Sequence, residues 1–206
     1  MIGQIELKEF TKLNNNTKTN NSDISLEWLY VNTPDNSARF VLGTKGENPL
    51  VCFGINPSTA EPNNLDPTVN LVSRIAVRND YDSFIMFNVY PQRATDPDNL
   101  HTTDPTQDTL PQHVQSLIRE NLFHISQCVN FRDLTIWAAW GALITKRPYL
   151  LPTVKLIAEL PLLRYCDWVS RGPLTKDGHP HHPLYVKKDV PLEPFDINGY
   201  IEEFIL

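Results

Sequence analysis

Apolar residues concentrate in four short runs along the chain, and a polar stretch rich in proline, glycine or asparagine follows each run. The runs are PLVCFGINP (49–57), SFIMFNVYP (83–91), LTIWAAWG (134–141) and RYCDWVS (164–170). The first is apolar at successive positions, which is typical of a central strand covered on both faces. A further run, ARFVLG, is separated from the first by the glycine-containing TKGEN. These two runs are therefore predicted to pair as an antiparallel hairpin.

Helical periodicity fills the intervals between the strands. Asp66–Pro67 is a strong helix start, because Asp is a favoured N-cap and Pro suits the first helical position. A long helix is predicted over PQHVQSLIRENLFHISQCV (111–129), whereas ALITKRPYLLPTVKLIAEL (142–160) is helical but interrupted by prolines. Strands that alternate with crossover helices predict a single three-layer α/β/α domain with a mainly parallel, four-stranded central sheet.

This pattern divides the chain into three parts. Residues 1–47 form an N-terminal segment with an Asn-rich loop (11–25) and a leading strand, residues 48–190 form the α/β core, and residues 191–206 form a C-terminal tail. The 206 residues suffice for one sizeable core.

Composition and charge narrow the class of protein. The chain is 41% apolar and 20% charged, as in soluble globular proteins. No apolar run approaches the ~20 residues of a membrane span. Three scattered cysteines without a CxxC pair fit a reduced cytoplasm. We therefore expect a cytoplasmic monomer with no membrane partner, and the net charge of −6 argues against a broad nucleic-acid surface, although a local basic face stays open.

The four predicted parallel strands all end in unusual polar sequences. These ends are GINPS, FNVYPQR, AAWGA and SRGPLTKDGHPHHPL. Ligands of open parallel sheets lie beyond the carboxyl ends of the strands. The four ends are thus predicted to meet at one edge of the sheet and to form a pocket there.

Taken together, these ends resemble the uracil-DNA glycosylase superfamily. CFGINPS resembles its first motif in the GINP form of the mismatch-specific thymine/uracil branch, and FIMFN is similar to the strand that carries a base-reading asparagine. TIWAAWGA resembles the third strand, and GHPHHPL resembles the second catalytic motif, commonly His-Pro-Ser-Pro-Leu. The resemblance covers roughly residues 48–186. Within the superfamily the chain is similar to bacterial and phage proteins of a domain family of unknown function.

The resemblance implies roles for three residues. Asn56 would position the attacking water, although an amide cannot act as a general base; alternatively it only ends the strand in an Asx turn. Asn88 would read the polar edge of a base, or else tie two loops together. His179 would donate a hydrogen bond to the base oxygen. Because HPHHPL has one residue more than the family motif, His181 or His182 could instead be the true equivalent.

Further contacts follow from the same resemblance or from residue type. Leu184 matches the wedge leucine that fills the gap left by a flipped base. The remaining candidates are Phe53, Ile55 and Tyr90 for base contact, and Ser58, Thr59, Arg93, His181, His182 and Lys187 for DNA contact. Phe53 and Tyr90 could equally be core aromatics, and Arg93 could instead pair with Asp96.

The sequence offers several candidates for acid–base and metal chemistry. Glu61, Asp96 and Asp104 are loop carboxylates that could supply the base that Asn56 cannot, whereas Asp66 is most simply a helix cap. Three imidazoles within four residues raise the possibility of a metal, but no Cys or Asp stands at the spacing of a zinc site. Three scattered cysteines do not suit an iron–sulfur cluster. We therefore expect no metal and no cofactor.

The leading hypothesis is a DNA glycosylase that flips out a damaged or modified base and hydrolyses its N-glycosidic bond, in repair or in defence against modified phage DNA. The partner would be DNA carrying the flipped base. Two other classes remain open. One is a non-catalytic module that binds a nucleotide or nucleic acid, and the other is a hydrolase of a free nucleoside or nucleotide.

Overall fold

The computed structural model describes residues 26–128, 134–187 and 189–205, so the predicted Asn-rich loop lies outside the described residues. The strands are β1 (Trp28–Asn32), β2 (Arg39–Thr44), β3 (Pro49–Gly54), β4 (Ser83–Asn88), β5 (Thr135–Ala138), β6 (Asp167–Arg171) and β7 (Leu192–Pro194). The α-helices are α1 (Pro67–Arg78), α2 (Gln112–Cys128), α3 (Leu150–Ala158) and α4 (Ile197–Ile205). They form an α/β fold around one sheet with the strand order β1-β2-β4-β3-β5-β6-β7.

The prediction of a mainly parallel, four-stranded sheet is wrong. The sheet has seven strands and is mixed: β4, β3, β5 and β6 run parallel to one another, while β1, β2 and β7 join antiparallel at the two edges. The edge strands come from the predicted N-terminal segment and C-terminal tail. β1 is only partly buried and β7 has three residues, so neither shows the apolar run by which the central strands were recognised.

The predicted hairpin of β2 with β3 is also wrong. β4 lies between them and pairs antiparallel with β2, with Leu42 opposite Met86, and parallel with β3. Gly43 explains how β4 comes so close to β2, because a Cβ at this position would collide with the backbone oxygen of Phe84. The crossover helix α1 returns the chain to the side of β3 where β2 would otherwise have paired.

The helices begin and end for local reasons. Asp66 caps α1 by accepting a hydrogen bond from the Val69 N–H at 2.9 Å, and Asn79 follows its last residue. The interrupted third helical segment is a short 3₁₀ helix, Ala142–Thr145, followed by α3. Among the described residues, no helix is long and apolar enough to cross a membrane.

Two apolar clusters hold helices against opposite faces of the sheet. α1 packs on one face through Val69, Val72 and Ile75, which meet the β3 and β4 side chains of that face. α2, α3 and α4 cover the other face around Phe53, Phe87 and Trp168. The helices thus leave the carboxyl ends of β3, β4 and β5 uncovered, and the connecting loops surround that edge.

Candidate functional site

A cavity of about 510 Å³ lies at the carboxyl ends of β3, β4 and β5. This volume is within the ~300–1,000 Å³ of typical small-molecule sites. Its polar lining comes from the ends of strands, the loops beside them and the start of α1: Arg39, Asn56, Ser58, Thr59, Asp66, Thr68, Asn88, Thr95, Thr175, His181 and His182. Apolar lining includes Ile55, Met86, Trp140 and Leu184. The edge that the strand pattern singled out thus contains a pocket with several convergent polar groups.

Asn88 is the most unusual group in this cavity. Its side chain is 1% exposed, and neither its oxygen nor its nitrogen has a hydrogen-bond partner among the described residues. The Asn88 side chain does not tie two loops together; at this strand end it is Asn121 of α2 whose Nδ2 donates to the backbone oxygens of Asn88 (2.8 Å) and Val89 (3.3 Å). Buried amides are normally satisfied, and an unsatisfied one destabilises the protein by about 1–3 kcal/mol. The Asn88 amide is therefore available to hydrogen-bond a molecule that enters the cavity.

Asn56 is held in one orientation by the loop after β4. Its Nδ2 donates to the backbone oxygens of Ala94 at 2.7 Å and Pro57 at 3.1 Å. Because both acceptors fix the amide nitrogen, Oδ1 is left as the atom available to a ligand, and no described residue donates to it. The side chain thus both ties two loops and presents an acceptor to the cavity.

Asp66 and His182 bring acid–base groups to the cavity. Burial lowers the pKa of His182, and the Asp66 carboxylate partly opposes this effect. His182 Nδ1 accepts the Leu184 N–H at 3.4 Å, so the neutral ring carries its proton on Nε2. The loop carboxylates Glu61, Asp96 and Asp104 do not line the cavity. Asp66, interpreted most simply as a helix cap, is both the cap of α1 and the carboxylate among the described residues that line the cavity.

Arg39 lines the cavity but was absent from the predicted site. It begins strand β2, is 1% exposed, and donates from Nη1 to the Ala60 oxygen at 3.0 Å. Burial lowers its pKa to about 10, with a smaller effect from Arg93 in the same direction. The guanidinium is therefore still cationic at neutral pH. An arginine within an otherwise apolar strand was the signal that could have identified it.

The structure does not bring His179 to the cavity. Its ring is buried behind the wall, where Nδ1 lies 2.9 Å from the Tyr200 hydroxyl and the ring packs on Phe204. Tyr200 also accepts the Trp140 indole N–H at 3.2 Å. The hydroxyl thus contacts both Trp140 and His179, which links α4 to a cavity residue. The histidines that line the cavity are His181 and His182.

The other predicted contacts divide into two groups. Ile55, Ser58, Thr59 and Leu184 line the cavity. Phe53 and Tyr90 do not: Phe53 stacks on Phe87 and Trp168 in the core, and the Tyr90 hydroxyl lies 2.7 Å from His101 Nδ1. Aromatic side chains on strand segments pack in the core more readily than they line a site, and this accounts for both placements.

Neither predicted cation lies on the cavity. Arg93 donates to the Ser58 and Ala60 oxygens and to the Tyr30 hydroxyl, and it pairs with Glu61 at 3.8 Å rather than with Asp96. Its guanidinium braces the loop after β3. Lys187 is exposed and absent from the lining. In the described part of the chain, no group of three or more His, Cys, Asp or Glu side chains is placed to hold a metal ion.

Comparison with known proteins identifies the family but not an activity. A family model described as "Protein of unknown function (DUF1643)" matches residues 39–184, which is more than half of the chain. Neither the curated proteins nor the solved structures contain a match. The domain-family likeness is therefore supported, whereas the relationship to uracil-DNA glycosylases stays a hypothesis. The chain belongs to the DUF1643 family of proteins of unknown function.

Proposed function

We propose that this protein is a DNA glycosylase that takes a damaged or modified base into the cavity and hydrolyses its N-glycosidic bond. The observation that carries the proposal is Asn88, a buried amide on the cavity whose oxygen and nitrogen both lack partners. The likeness of GINPS and GHPHHPL to uracil-DNA glycosylase motifs supports the same reaction. The enzyme would act in the cytoplasm on DNA with a flipped base, in repair or in defence.

Base recognition rests on the chemistry of a carboxamide. Asn88 offers one acceptor and two donors in a plane, which match the polar edge of a nucleobase. A site built to hydrogen-bond such an edge rejects ligands that leave it unpaired, because the buried groups then remain unsatisfied. The ligand that suits Asn88 is thus planar and carries a donor next to an acceptor.

Hydrolysis needs a water, a proton acceptor and a stabilised leaving group. Asn56 Oδ1 accepts a hydrogen bond from the water, and Asp66 takes its proton as the oxygen bonds to the anomeric carbon. The carbon–nitrogen bond breaks, and the electron pair leaves with the base. The Nε2–H of neutral His182 donates to the base oxygen, where negative charge develops. These roles use only groups that line the cavity.

A free nucleotide is a second candidate substrate, and one observation favours it. Among the described residues that line the cavity, Arg39 is the only Lys or Arg, while Arg93 is engaged elsewhere and Lys187 lies outside. A rim without lysines or arginines is less suited to a DNA duplex than to a small molecule. The same pocket chemistry then acts on a free nucleotide or holds it without cleavage.

The test is an abasic-site assay on oligonucleotides that contain uracil, a thymine mismatch, common lesions or heavily modified phage bases. We compare wild type with Asp66→Asn, because Asn still caps α1 but cannot accept the proton. A general base contributes about 10²–10⁴-fold to the rate, so Asp66→Asn should reduce cleavage by at least about 100-fold. Asn99→Ala, an exposed site off the cavity, is the control.

Two results decide between the candidates. Alkali-labile cleavage of one substrate, lost in Asp66→Asn and kept in Asn99→Ala, supports the glycosylase. If no oligonucleotide is cleaved but free base is released from a nucleotide, the result supports the free nucleotide as the substrate. Cleavage that Asp66→Asn leaves unchanged would remove Asp66 from the mechanism.

A further inference from the structure

Arg39 is a buried cation whose hydrogen-bonding capacity is only partly used. Nη1 donates to the Ala60 oxygen, whereas Nε is buried without a partner and no described residue accepts from Nη2. The ion pairs of the described chain involve Lys45, Arg93 and Lys146 instead. The Nε–Nη2 edge of the Arg39 guanidinium is thus left without an acceptor.

The groups around Arg39 compensate its charge and its donors only in part. Arg93 donates to the same Ala60 oxygen at 3.3 Å, so two guanidinium groups converge on one carbonyl. Asp66 attracts Arg39, but one of its oxygens accepts the Val69 N–H. A buried charge is normally paired and hydrogen-bonded. Arg39 therefore has more positive charge and more donors than the protein around it compensates.

The other fully buried arginine provides a contrast within the same fold. Arg171 donates from Nε to the Val190 oxygen at 3.2 Å and from Nη2 to the Lys187 oxygen at 2.9 Å, and it lies over the Trp137 ring. Its Nε–Nη2 edge is occupied by protein. The same edge of Arg39 is unoccupied, and Arg39 is the one of the two that lines the cavity.

We infer that the Nε–Nη2 edge of Arg39 binds an oxyanion of the ligand, and that this oxyanion is the phosphate of a nucleotide. Two parallel N–H donors match two phosphate oxygens in a bidentate pair. Ser58, Thr59, Thr68 and Thr95 line the same cavity, and hydroxyl side chains suit further phosphate oxygens. The inference rests on the proposed function for the base, and the phosphate belongs either to a free monophosphate or to the strand that carries the flipped base.

Binding of matched ligands tests the inference. Calorimetry on the wild-type protein compares deoxyuridine, thymidine, deoxycytidine, deoxyadenosine and deoxyguanosine with their 5′-monophosphates, and includes inorganic phosphate. We expect one monophosphate to bind about 10- to 100-fold more tightly than its nucleoside, as for a charge-assisted pair. A short single-stranded oligonucleotide with that base then shows which source of phosphate the site uses.

Three variants identify the cation responsible. Arg39→Met should abolish the advantage of the monophosphate without weakening the nucleoside, and Arg39→Lys should retain only part of it because it keeps the charge but loses the edge. Arg119→Met removes an exposed cation of α2, away from the cavity, and should keep the full advantage. Circular dichroism shows whether Arg39→Met is folded. If it is not, the inference is tested by the wild-type comparison of nucleoside with monophosphate and by Arg39→Lys.

The inference is overturned if nucleoside and monophosphate bind equally, if the advantage survives in Arg39→Met, or if no monophosphate binds at millimolar concentration. The abasic-site assay fails or succeeds separately. If DNA is cleaved but nucleoside and nucleotide bind equally, only the phosphate subsite at Arg39 is contradicted and the glycosylase proposal stands. If the monophosphate binds more tightly than the nucleoside but nothing is cleaved, the phosphate subsite is supported and the hydrolase proposal is contradicted.

Discussion

At the scale of single residues, the cavity is built from groups that the protein alone leaves incomplete. Asn88 has two unpartnered side-chain atoms, and Arg39 has an unoccupied edge. Each is stable only because the rest of the fold compensates, since an unsatisfied buried group destabilises a protein by about 1–3 kcal/mol. Such departures from a satisfied interior are characteristic of functional sites.

Removing the Asn88 amide should therefore not harm the ligand-free fold. Asn88→Leu replaces the amide with an apolar group of similar shape, so we expect the free energy of unfolding to stay equal or to rise by up to about 1–3 kcal/mol. Base binding should be lost. Urea unfolding with and without ligand measures both effects. A loss of more than about 2 kcal/mol in the ligand-free protein would contradict the unsatisfied state of Asn88.

Asn56→Asp would replace the amide with a carboxylate that could act as a general base, and the local geometry opposes it. Asn56 donates to two carbonyl oxygens, and a carboxylate would face the same oxygens without a proton. The folded state raises the pKa of the new Asp, so stability should be higher below its unfolded pKa and fall as the pH rises. We expect about 1–3 kcal/mol of destabilisation at pH 7, less at pH 4, by chemical unfolding.

At the scale of elements, α4 supports the cavity from behind. The Tyr200 hydroxyl accepts the Trp140 N–H and lies 2.9 Å from His179 Nδ1, so one hydroxyl joins the helix to a cavity wall and to the histidine loop. Gly178 lets this loop pass close to α4: its φ is 80°, and a Cβ would lie 2.7 Å from the Phe204 ring. The tail is thus part of the site's support.

Tyr200→Phe should destabilise the protein through this link. The change leaves the Trp140 indole and His179 Nδ1 without their partner, and we expect a loss of about 1–3 kcal/mol. The affinity of the cavity for its ligand should fall with it, since Trp140 lines the cavity. Urea unfolding and ligand titration measure the two effects. Tyr165→Phe, at an 85% exposed tyrosine, should change neither.

Much of this element pattern could be predicted from the sequence. The apolar runs of β3, β4 and β5 and the Asp66–Pro67 start of α1 are local signals, so their prediction needed no tertiary information. The partner of β2 is not local, because it depends on which strand the crossover places beside it. The choice among His179, His181 and His182 depends on the turn at Gly178 and the 3₁₀ helix at Pro183–Tyr185. Contacts between residues distant in sequence determine both the partner of β2 and the histidines that line the cavity.

At the scale of the whole molecule, histidines couple stability to pH. Burial lowers the pKa of His101, His124, His179 and His182 below their ordinary value of 6.5. As the pH falls, these histidines therefore bind protons at a higher pH in the unfolded chain than in the folded one. Stability is fully present above pH 6.5 and is lost as the pH falls through the unfolded and then the folded pKa values.

We expect the free energy of unfolding to decrease between pH 7.5 and pH 5. Each histidine that stays neutral contributes a slope of at most about 1.4 kcal/mol per pH unit. His179→Gln keeps a side-chain hydrogen-bonding group for Tyr200 but cannot titrate, so it should lower the slope of the stability profile by the contribution of one proton. Urea titrations across this range measure it. A profile that stays flat in the wild type would contradict the burial of these rings.

The position of β4 between β2 and β3 has a consequence for how the molecule folds. The cavity walls come from residues as distant as Arg39 and Tyr185, and they meet only when strands far apart in the chain have paired. Pairing of distant segments forms slowly. We therefore expect the pocket to be among the last features to assemble, because no short segment of the chain contains all of its walls. A ligand that binds there stabilises only the completed sheet, so it should protect every strand from hydrogen exchange together.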